Sequence, residues 1–175
     1  MAIDDTLSKD KQFLIMFKEW RSEEAARKMV ETHRDMVVEN IDFWIMKSMD
    51  WHSLEMVRYL LNFNTDDLSE IMVGAARKGQ KDFVQLLLPH SNPAFNNSKA
   101  LQWASVNQDT DVFDLLYPLS NAKDALRALK DISTNPQDWV LLHNRVEAER
   151  LQKVLRHEIN GQASEAGQQP PRKKI

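Results

Sequence analysis

Two segments of the chain carry the same order of apolar and polar residues. The first runs from Ala75 to Asn92 and the second from Ala104 to Asn121, which gives an offset of 29 positions. In both segments an alanine is followed by a polar stretch, an aspartate, an apolar run with two leucines, a proline and a Ser-Asn pair. A short fixed period of this kind predicts stacked structural repeats and not one closed globule.

Each copy contains two apolar runs separated by a short polar turn. In the first copy, apolar residues lie between Ile71 and Ala75, the turn is at 79–81, and the second run extends from Phe83 to Leu88. Spacings of three and four place each run on one face of a helix, which predicts a helix-turn-helix hairpin. Because no stretch alternates apolar and polar residues for long, the strand signal is almost absent. The predicted fold class is therefore all-α, an α-solenoid of such hairpins with a long C-terminal capping helix.

The same register, extended in both directions, divides the whole chain. We predict one repeat domain over residues 1–160, with a terminal repeat at 10–33, repeats at 41–65, 68–92 and 97–121, and a divergent cap at 122–160. The cap includes a long helix that begins at Pro136. From Gly161 the sequence lacks the apolar content needed to fold alone, which predicts a disordered tail over residues 161–175.

The matched positions have expected structural roles. Gly79 is expected to adopt a left-handed turn conformation, which glycine reaches without a side-chain clash. His52 and Gln108 occupy the equivalent places, and Asn107 could take over the turn in its own copy. The leucine pairs at 86–87 and 115–116 are expected to fill the seams between hairpins. Replacing Leu86 or Leu115 by alanine is expected to cost about 2 to 5 kcal/mol.

Composition limits the class of protein. With 42% hydrophobic and 28% charged residues, the 175-residue chain can bury a sizeable core. The net charge of −3 gives no general attraction to nucleic acid or to an anionic membrane. The absence of cysteine excludes a disulfide scaffold and cysteine-ligated metals. No secretory signal and no membrane-spanning run is visible, so we expect a cytoplasmic location, which includes the cytoplasm of a host cell.

Candidate catalytic and metal-binding residues are few. The five histidines have no pair at the helical ligand spacing of three or four. His90 followed by Ser91 lacks the glycine pattern of a nucleophile elbow. The acidic pairs at 66–67 and at 109 and 111 lack the remaining ligands of a calcium loop, and helix N-capping by Asp66 or Asp109 explains them better. We predict no enzyme activity, no cofactor and no metal.

The first copy resembles ankyrin repeats. Residues 75–88 read Ala-Ala-Arg-Lys-Gly-Gln-Lys-Asp-Phe-Val-Gln-Leu-Leu-Leu, close to the family pattern Ala-Ala-x-x-Gly-His-x-Glu-Val-Val-x-Leu-Leu-Leu, with Gln80 in place of histidine. The connection from Pro89 to Trp103 looks like that of bacterial and bacteriophage ankyrin-like proteins. The Thr-Pro-Leu-His opening is missing in every copy, and the short period implies shortened fingers. The resemblance implies a stacked-repeat fold that binds proteins, for example an inhibitor or host-interaction factor.

In such a stack, the first helices of the hairpins line a concave groove, and tryptophans on them are candidate anchors for a protein partner. The residues predicted to contact that partner are Trp44, Lys47, Trp51, Arg77, Lys78, Gln102, Trp103 and Asn107. The alternative interpretation is that Trp44 and Trp103 are partly buried seam residues, because aromatic residues at helical spacing usually belong to the core.

Basic residues on the last helix are Arg145, Arg150, Lys153 and Arg156, and three more follow at 172–174. Interspersed glutamates dilute this charge, so nucleic-acid binding is disfavoured. Two alternatives to a binding module stay open at this point. One is a structural homodimer formed through the C-terminal helix, and the other is an unrecognised enzyme in a repeat-like α fold.

Overall fold

The computed structural model describes residue 11 and residues 23–63 and 66–166. Within these residues the chain forms ten α-helices and two short 3₁₀ helices, at Leu88–His90 and Tyr117–Leu119, and no strand. The α-helices are α1 (Glu23–Thr32), α2 (Arg34–Glu39), α3 (Ile41–Asp50), α4 (Leu54–Leu60), α5 (Ser69–Arg77), α6 (Lys81–Leu87), α7 (Phe95–Val106), α8 (Thr110–Leu116), α9 (Ala122–Ile132) and α10 (Pro136–Ala166).

The helices from α3 onward pair into four consecutive hairpins. We call α3, α5, α7 and α9 the first helices, and α4, α6, α8 and α10 the second helices. Helix α7 packs against α5 on one side and against α9 on the other, and α8 packs against α6. Each hairpin therefore stacks on its neighbours in sequence order, which confirms the predicted all-α solenoid.

The turn inside each of the first three hairpins has one left-handed residue at the same position. Its φ is 56° at His52, 66° at Gly79 and 55° at Gln108. The next residue closes the turn by donating its backbone N–H to the carbonyl five positions back, as in the bond of 3.0 Å from Gln80 to Ala75. The equivalence of the three positions is confirmed. The prediction that Asn107 takes over the turn is wrong, because its φ is −77°.

The seams between hairpins contain the second leucine of each pair. Leu87 and Leu116 are fully buried, and Leu60 is buried at the same position one hairpin earlier. Leu86 and Leu115 are only partly buried at the edge of this core. The cost of about 2 to 5 kcal/mol expected for Leu86→Ala and Leu115→Ala fits Leu87 and Leu116 better, because the fully buried side chain of each pair is the second leucine.

Serines at the start of two first helices connect the segments that precede successive hairpins. The hydroxyl of Ser69 accepts the backbone N–H of Asn92 at 2.7 Å, and the hydroxyl of Ser98 accepts the N–H of Asn121 at 2.8 Å. Ser98 ends a left-handed turn of three residues, at 96–98, so the right-handed part of α7 begins at Lys99. The repeated bond fixes the spacing of consecutive first helices.

Aspartates shape two of the helix starts. Asp109 caps α8, because its carboxylate accepts the backbone N–H of Val112 at 3.1 Å. Asp66 does not cap α5; the neighbouring Asp67 accepts the backbone N–H of Ser69 at 3.0 Å instead. The cap predicted at Asp109 is confirmed, and the cap predicted at Asp66 is wrong.

The C-terminal end of the stack is formed by a long helix. At the C-terminus, α10 spans 31 residues, and every side chain from 148 to 160 is exposed. This helix continues to Ala166, so the start of the predicted tail at Gly161 falls inside it, and residues 167–175 lie outside the described residues. Of the predicted terminal repeat, residues 12–22 also lie outside the described part of the chain.

Candidate protein-binding surface

The candidate surface lies on the side of the stack formed by the first helices, which we call the first-helix face. Helices α5, α7 and α9 pack closely on one another, whereas the second helices α6 and α8 make a lighter contact. Consecutive first helices therefore form one continuous face, on which the predicted groove would lie.

Trp103 is the main aromatic side chain of this face. Trp103 is half-buried on α7. Two cations lie against its ring, one from α5 and one from the preceding turn of α7. The Arg77 guanidinium carbon is 5.6 Å from the ring centroid and the Lys99 Nζ is 5.8 Å from it. Both distances are within the range of a cation–π interaction. The indole is thus held in place while part of its surface stays open to solvent.

A third cation of the first-helix face also lies over an aromatic ring. The Nζ of Lys47 is 5.6 Å from the centroid of Phe43 on the same helix. Lys47, Arg77 and Lys99 form no ion pair with a carboxylate among the described residues. Elsewhere cations do find carboxylates, as in the pair between Lys81 and Asp111 at 3.2 Å. The first-helix face therefore presents positive charge that no ion pair within the described part of the chain neutralises.

Acidic residues lie at the beginnings of two earlier first helices. Asp42 lies in the first turn of α3, and its pKa is raised by burial and by the nearby carboxylates of Asp66 and Glu70. Carboxylates that lie close together form a region of negative potential. In α7 the residue equivalent to Glu70 is Lys99, 29 positions later. The face is thus polarised along the stack, with negative charge at the beginnings of α3 and α5 and positive charge around Trp103 on α7.

Two of the predicted contact residues help to hold neighbouring hairpins together. The ammonium group of Lys78 pairs with the carboxylate of Asp50 on the preceding hairpin. The side-chain amide of Asn107 donates to the backbone carbonyl of Arg77 at 2.8 Å. Lys78 and Asn107 are exposed, so they can contact a partner, but each also has a structural role.

The structure removes two predicted residues from the surface. Trp44 is 3% exposed and Gln102 is 2% exposed, so neither can reach a partner in this conformation. Trp44 packs edge-on against Phe43, and the Gln102 side-chain amide donates to the backbone carbonyl of Asn97 at 2.8 Å. The core interpretation holds for Trp44. Trp51, which ends α3, is 49% exposed and stays a candidate.

Sequence reasoning missed two residues of this surface, Lys99 and Gly74. Gly74 lies 27 positions after Lys47 and 29 before Trp103, so these three residues share one position in consecutive hairpins. The repeat offsets of 27 and 29 already contained that alignment. Lys99 had no signal of its own, because only the folded chain shows which ring its side chain lies against.

Catalytic and metal chemistry find no support in the described part of the chain. Its histidines, aspartates and glutamates include no cluster of three positioned to hold a metal ion.

None of the helices described is both long enough and apolar enough to span a bilayer. His90 contributes its backbone carbonyl to a bond with the N–H of Leu68 at 3.0 Å.

Comparison with known families agrees with this architecture. The family model of ankyrin repeats matches the chain in three copies. The matched residues are 45–127. The match covers the first three hairpins and extends into α9. No curated protein and no solved structure matches the chain. Ankyrin repeats are generally protein–protein interaction modules and are typically non-enzymatic.

Proposed function

We propose that these ankyrin repeats bind one protein partner through the first-helix face. The observation that carries the proposal is Trp103, which is partly exposed and has both Arg77 and Lys99 at cation–π distance from its ring. Tryptophan and arginine dominate the energetics of protein interfaces, and a side chain that is already fixed loses little entropy on binding. Trp51, Lys47 and the exposed turn residues supply the surrounding contacts.

The mechanism we propose is steric. A rigid face that covers the functional surface of a partner blocks that partner's activity. A face that binds a different surface tethers the partner instead, and neither effect needs a catalytic group. The connection from Pro89 to Trp103 resembles bacterial and bacteriophage ankyrin-like proteins, which favours an inhibitor or host-interaction factor acting in the cytoplasm.

Affinity capture with mass spectrometry tests this function. The full chain is immobilised and exposed to a bacterial lysate, in parallel with Arg77→Ala, Trp103→Ala and the control Arg156→Ala. Arg77 and Arg156 are both exposed, so both arginine variants should fold. We expect a protein retained by the wild type and by Arg156→Ala, and reduced at least about tenfold by the other two. Equal retention by all four proteins would contradict the proposal.

A second candidate function, self-association, is favoured by the last helix. Leu151, Val154, Leu155 and Ile159 are between 49% and 63% exposed and follow one another at spacings of three, one and four. Leu151 lies nine residues after the buried Leu142, which is two and a half helical turns, so the two face opposite sides of α10. Val154 also lines a cavity together with residues between 117 and 123, whereas the other three side chains are open to solvent. Two copies could cover these exposed side chains by pairing their helices antiparallel around Leu155.

Light scattering over a range of concentrations tests the homodimer. Four side chains per copy bury less than the roughly 800 Å² per partner of a standard interface, so we expect a weak dimer that dissociates on dilution. The variant Leu151→Asp with Leu155→Asp should stay monomeric with an unchanged melting temperature, because both side chains are exposed. A wild-type chain that is monomeric at every concentration would exclude this candidate.

A further inference from the structure

Gly74 has no structural reason to be glycine. It lies inside α5, where glycine costs roughly 0.5–1 kcal/mol relative to alanine. It has no positive φ, unlike Gly79, which needs one. Nor does close packing require it, because a Cβ added at Gly74 would meet no heavy atom of another element within 4 Å. The fold therefore leaves open space above this residue, and the space is open to solvent because Gly74 is partly exposed.

The open space above Gly74 lies on the first-helix face. Lys47, Gly74 and Trp103 are equivalent residues of three consecutive hairpins, so a gap lies between two large side chains on the first-helix face. We call this gap the Gly74 notch. We propose that the Gly74 notch receives one bulky apolar side chain of an acidic protein segment; this inference rests on the proposed function of the face.

The charges around the notch select an acidic segment. Arg77 lies one turn after Gly74 on the same helix, and Lys47 lies on the preceding hairpin. Both cations lie over aromatic rings without a carboxylate partner among the described residues. A cation–π contact does not neutralise the charge of a guanidinium, so Arg77 can still pair with a carboxylate. Trp103 adds an apolar wall for the inserted side chain.

A protein segment fits this face better than a nucleic acid. A nucleic acid carries a negative charge at every nucleotide, and it would have to pass the acidic region of Asp42, Asp66 and Glu70. A protein segment can place its carboxylates beside Arg77 and Lys99 and neutral residues elsewhere. The polarised face therefore fits a partner that carries its negative charge in one short segment.

Selection from a phage-displayed library of random 16-residue peptides on the full chain tests the notch. We expect the selected peptides to carry aspartate or glutamate around one leucine, phenylalanine or tryptophan. Their affinity should fall at least about tenfold for Gly74→Leu, which fills the notch, and for Arg77→Glu, and it should weaken with salt. Gly74→Ala should retain most of the affinity because a methyl group occupies little of the space, and Arg156→Glu is the control for charge alone.

The melting temperature separates binding from folding. Gly74→Ala and Gly74→Leu should melt at or above the wild-type temperature, because both replace a helix-interior glycine in open space. If the selected peptides lose affinity for Trp103→Ala but not for Gly74→Leu, or if they are not acidic, the proposal for the Gly74 notch is wrong and the proposed function stands. If binding depends on neither residue, or if no binder is selected, both the notch proposal and the proposed function are wrong. Competition by a 16-nucleotide dT strand that depends on Arg77 would overturn the acidic-protein assignment.

Discussion

At the scale of single residues, polar side chains hold adjacent hairpins in register by reaching backbone carbonyls of a neighbour. The Gln108 amide donates to the carbonyls of Ser105 and Gln137, both at 2.7 Å. The Ser105 hydroxyl donates to the carbonyl of Asp138 at 2.8 Å. These bonds join the end of α7 and the turn after it to the first turn of α10. These residues therefore contribute to stability at positions that the apolar pattern of the sequence does not identify.

The two non-glycine residues in left-handed turns should respond differently to glycine. His52 has an exposed side chain, so His52→Gly should raise the free energy of unfolding by about 0.5–1 kcal/mol by relieving the left-handed strain. Gln108→Gly relieves the same strain but loses two hydrogen bonds, each worth about 0.5–1.5 kcal/mol, so it should give no gain. Urea unfolding measures both. A larger gain at Gln108 than at His52 would contradict this account.

The chain has two tyrosines, and both should titrate above pH 10. Burial raises the pKa of Tyr59, and it raises that of Tyr117 to about 12, where the nearby Glu149 carboxylate adds to the effect. Absorbance at 295 nm should show less phenolate in the folded protein at pH 10 than in the urea-unfolded chain. Since the unfolded chain releases these protons first, stability should fall as the pH rises from 10 toward 12. Tyr117→Phe should remove the higher step; a folded tyrosine that titrates below 10 would contradict the assignment.

At the scale of elements, the second and third hairpins place their two adjacent leucines in the same way. The second leucine of the pair lies in the seam, and the first lies at its edge. The four 3₁₀ and turn positions that follow, from 88 to 91 and from 117 to 120, return the chain to the next first helix through a proline. Because neighbouring hairpins repeat these contacts, the seams are the main source of cooperativity in the stack.

Alanine substitutions within one leucine pair should separate the two positions. Leu87→Ala should cost about 2–5 kcal/mol, because it leaves a cavity in a fully buried seam. Leu86→Ala should cost less than about 2 kcal/mol, since part of that side chain already contacts solvent. Leu116→Ala and Leu115→Ala repeat the comparison one hairpin later. Chemical denaturation gives the four values, and equal losses within a pair would show that the seam is wrongly placed.

At the scale of the whole molecule, the buried apolar residues run through the described hairpins as one core, from Val30 to Leu142. Each described hairpin packs mainly on its neighbours in sequence, so the first-helix face is continuous. The end of α10 extends beyond this stack with every side chain from 148 to 160 exposed. Binding through the face and association through α10 are therefore separable functions of the same chain.

Removal of residues 151–175 should leave the repeats folded. Leu142, the buried residue of α10, stays in the shortened chain, and the removed residues up to 160 are all exposed. We expect a melting temperature within a few degrees of the full chain and an unchanged near-UV spectrum. If the exposed apolar side chains of α10 form a dimer, the same chain should become monomeric. A loss of cooperative melting would show that the end of α10 stabilises the repeats.

Much of the fold was predictable because it repeats. Coincident residues at an offset of 29 identified the unit, and spacings of three and four identified its helices. The binding surface was less predictable, since the same helical spacing places Trp44 in the core and leaves Trp51 half-exposed. Local spacing defines a helix face but does not say which neighbour covers it.

The sequence by itself determined that this protein is a stack of helical hairpins, because each unit repeats its own apolar pattern and that information is local. The tertiary structure decided which side chains remain available on that stack. The contact of Arg77 with Trp103 joins two hairpins, and the open space above Gly74 lies between Lys47, 27 positions earlier, and Trp103, 29 positions later. Burial and charge pairing depend on what the neighbouring unit places there, which no single repeat encodes.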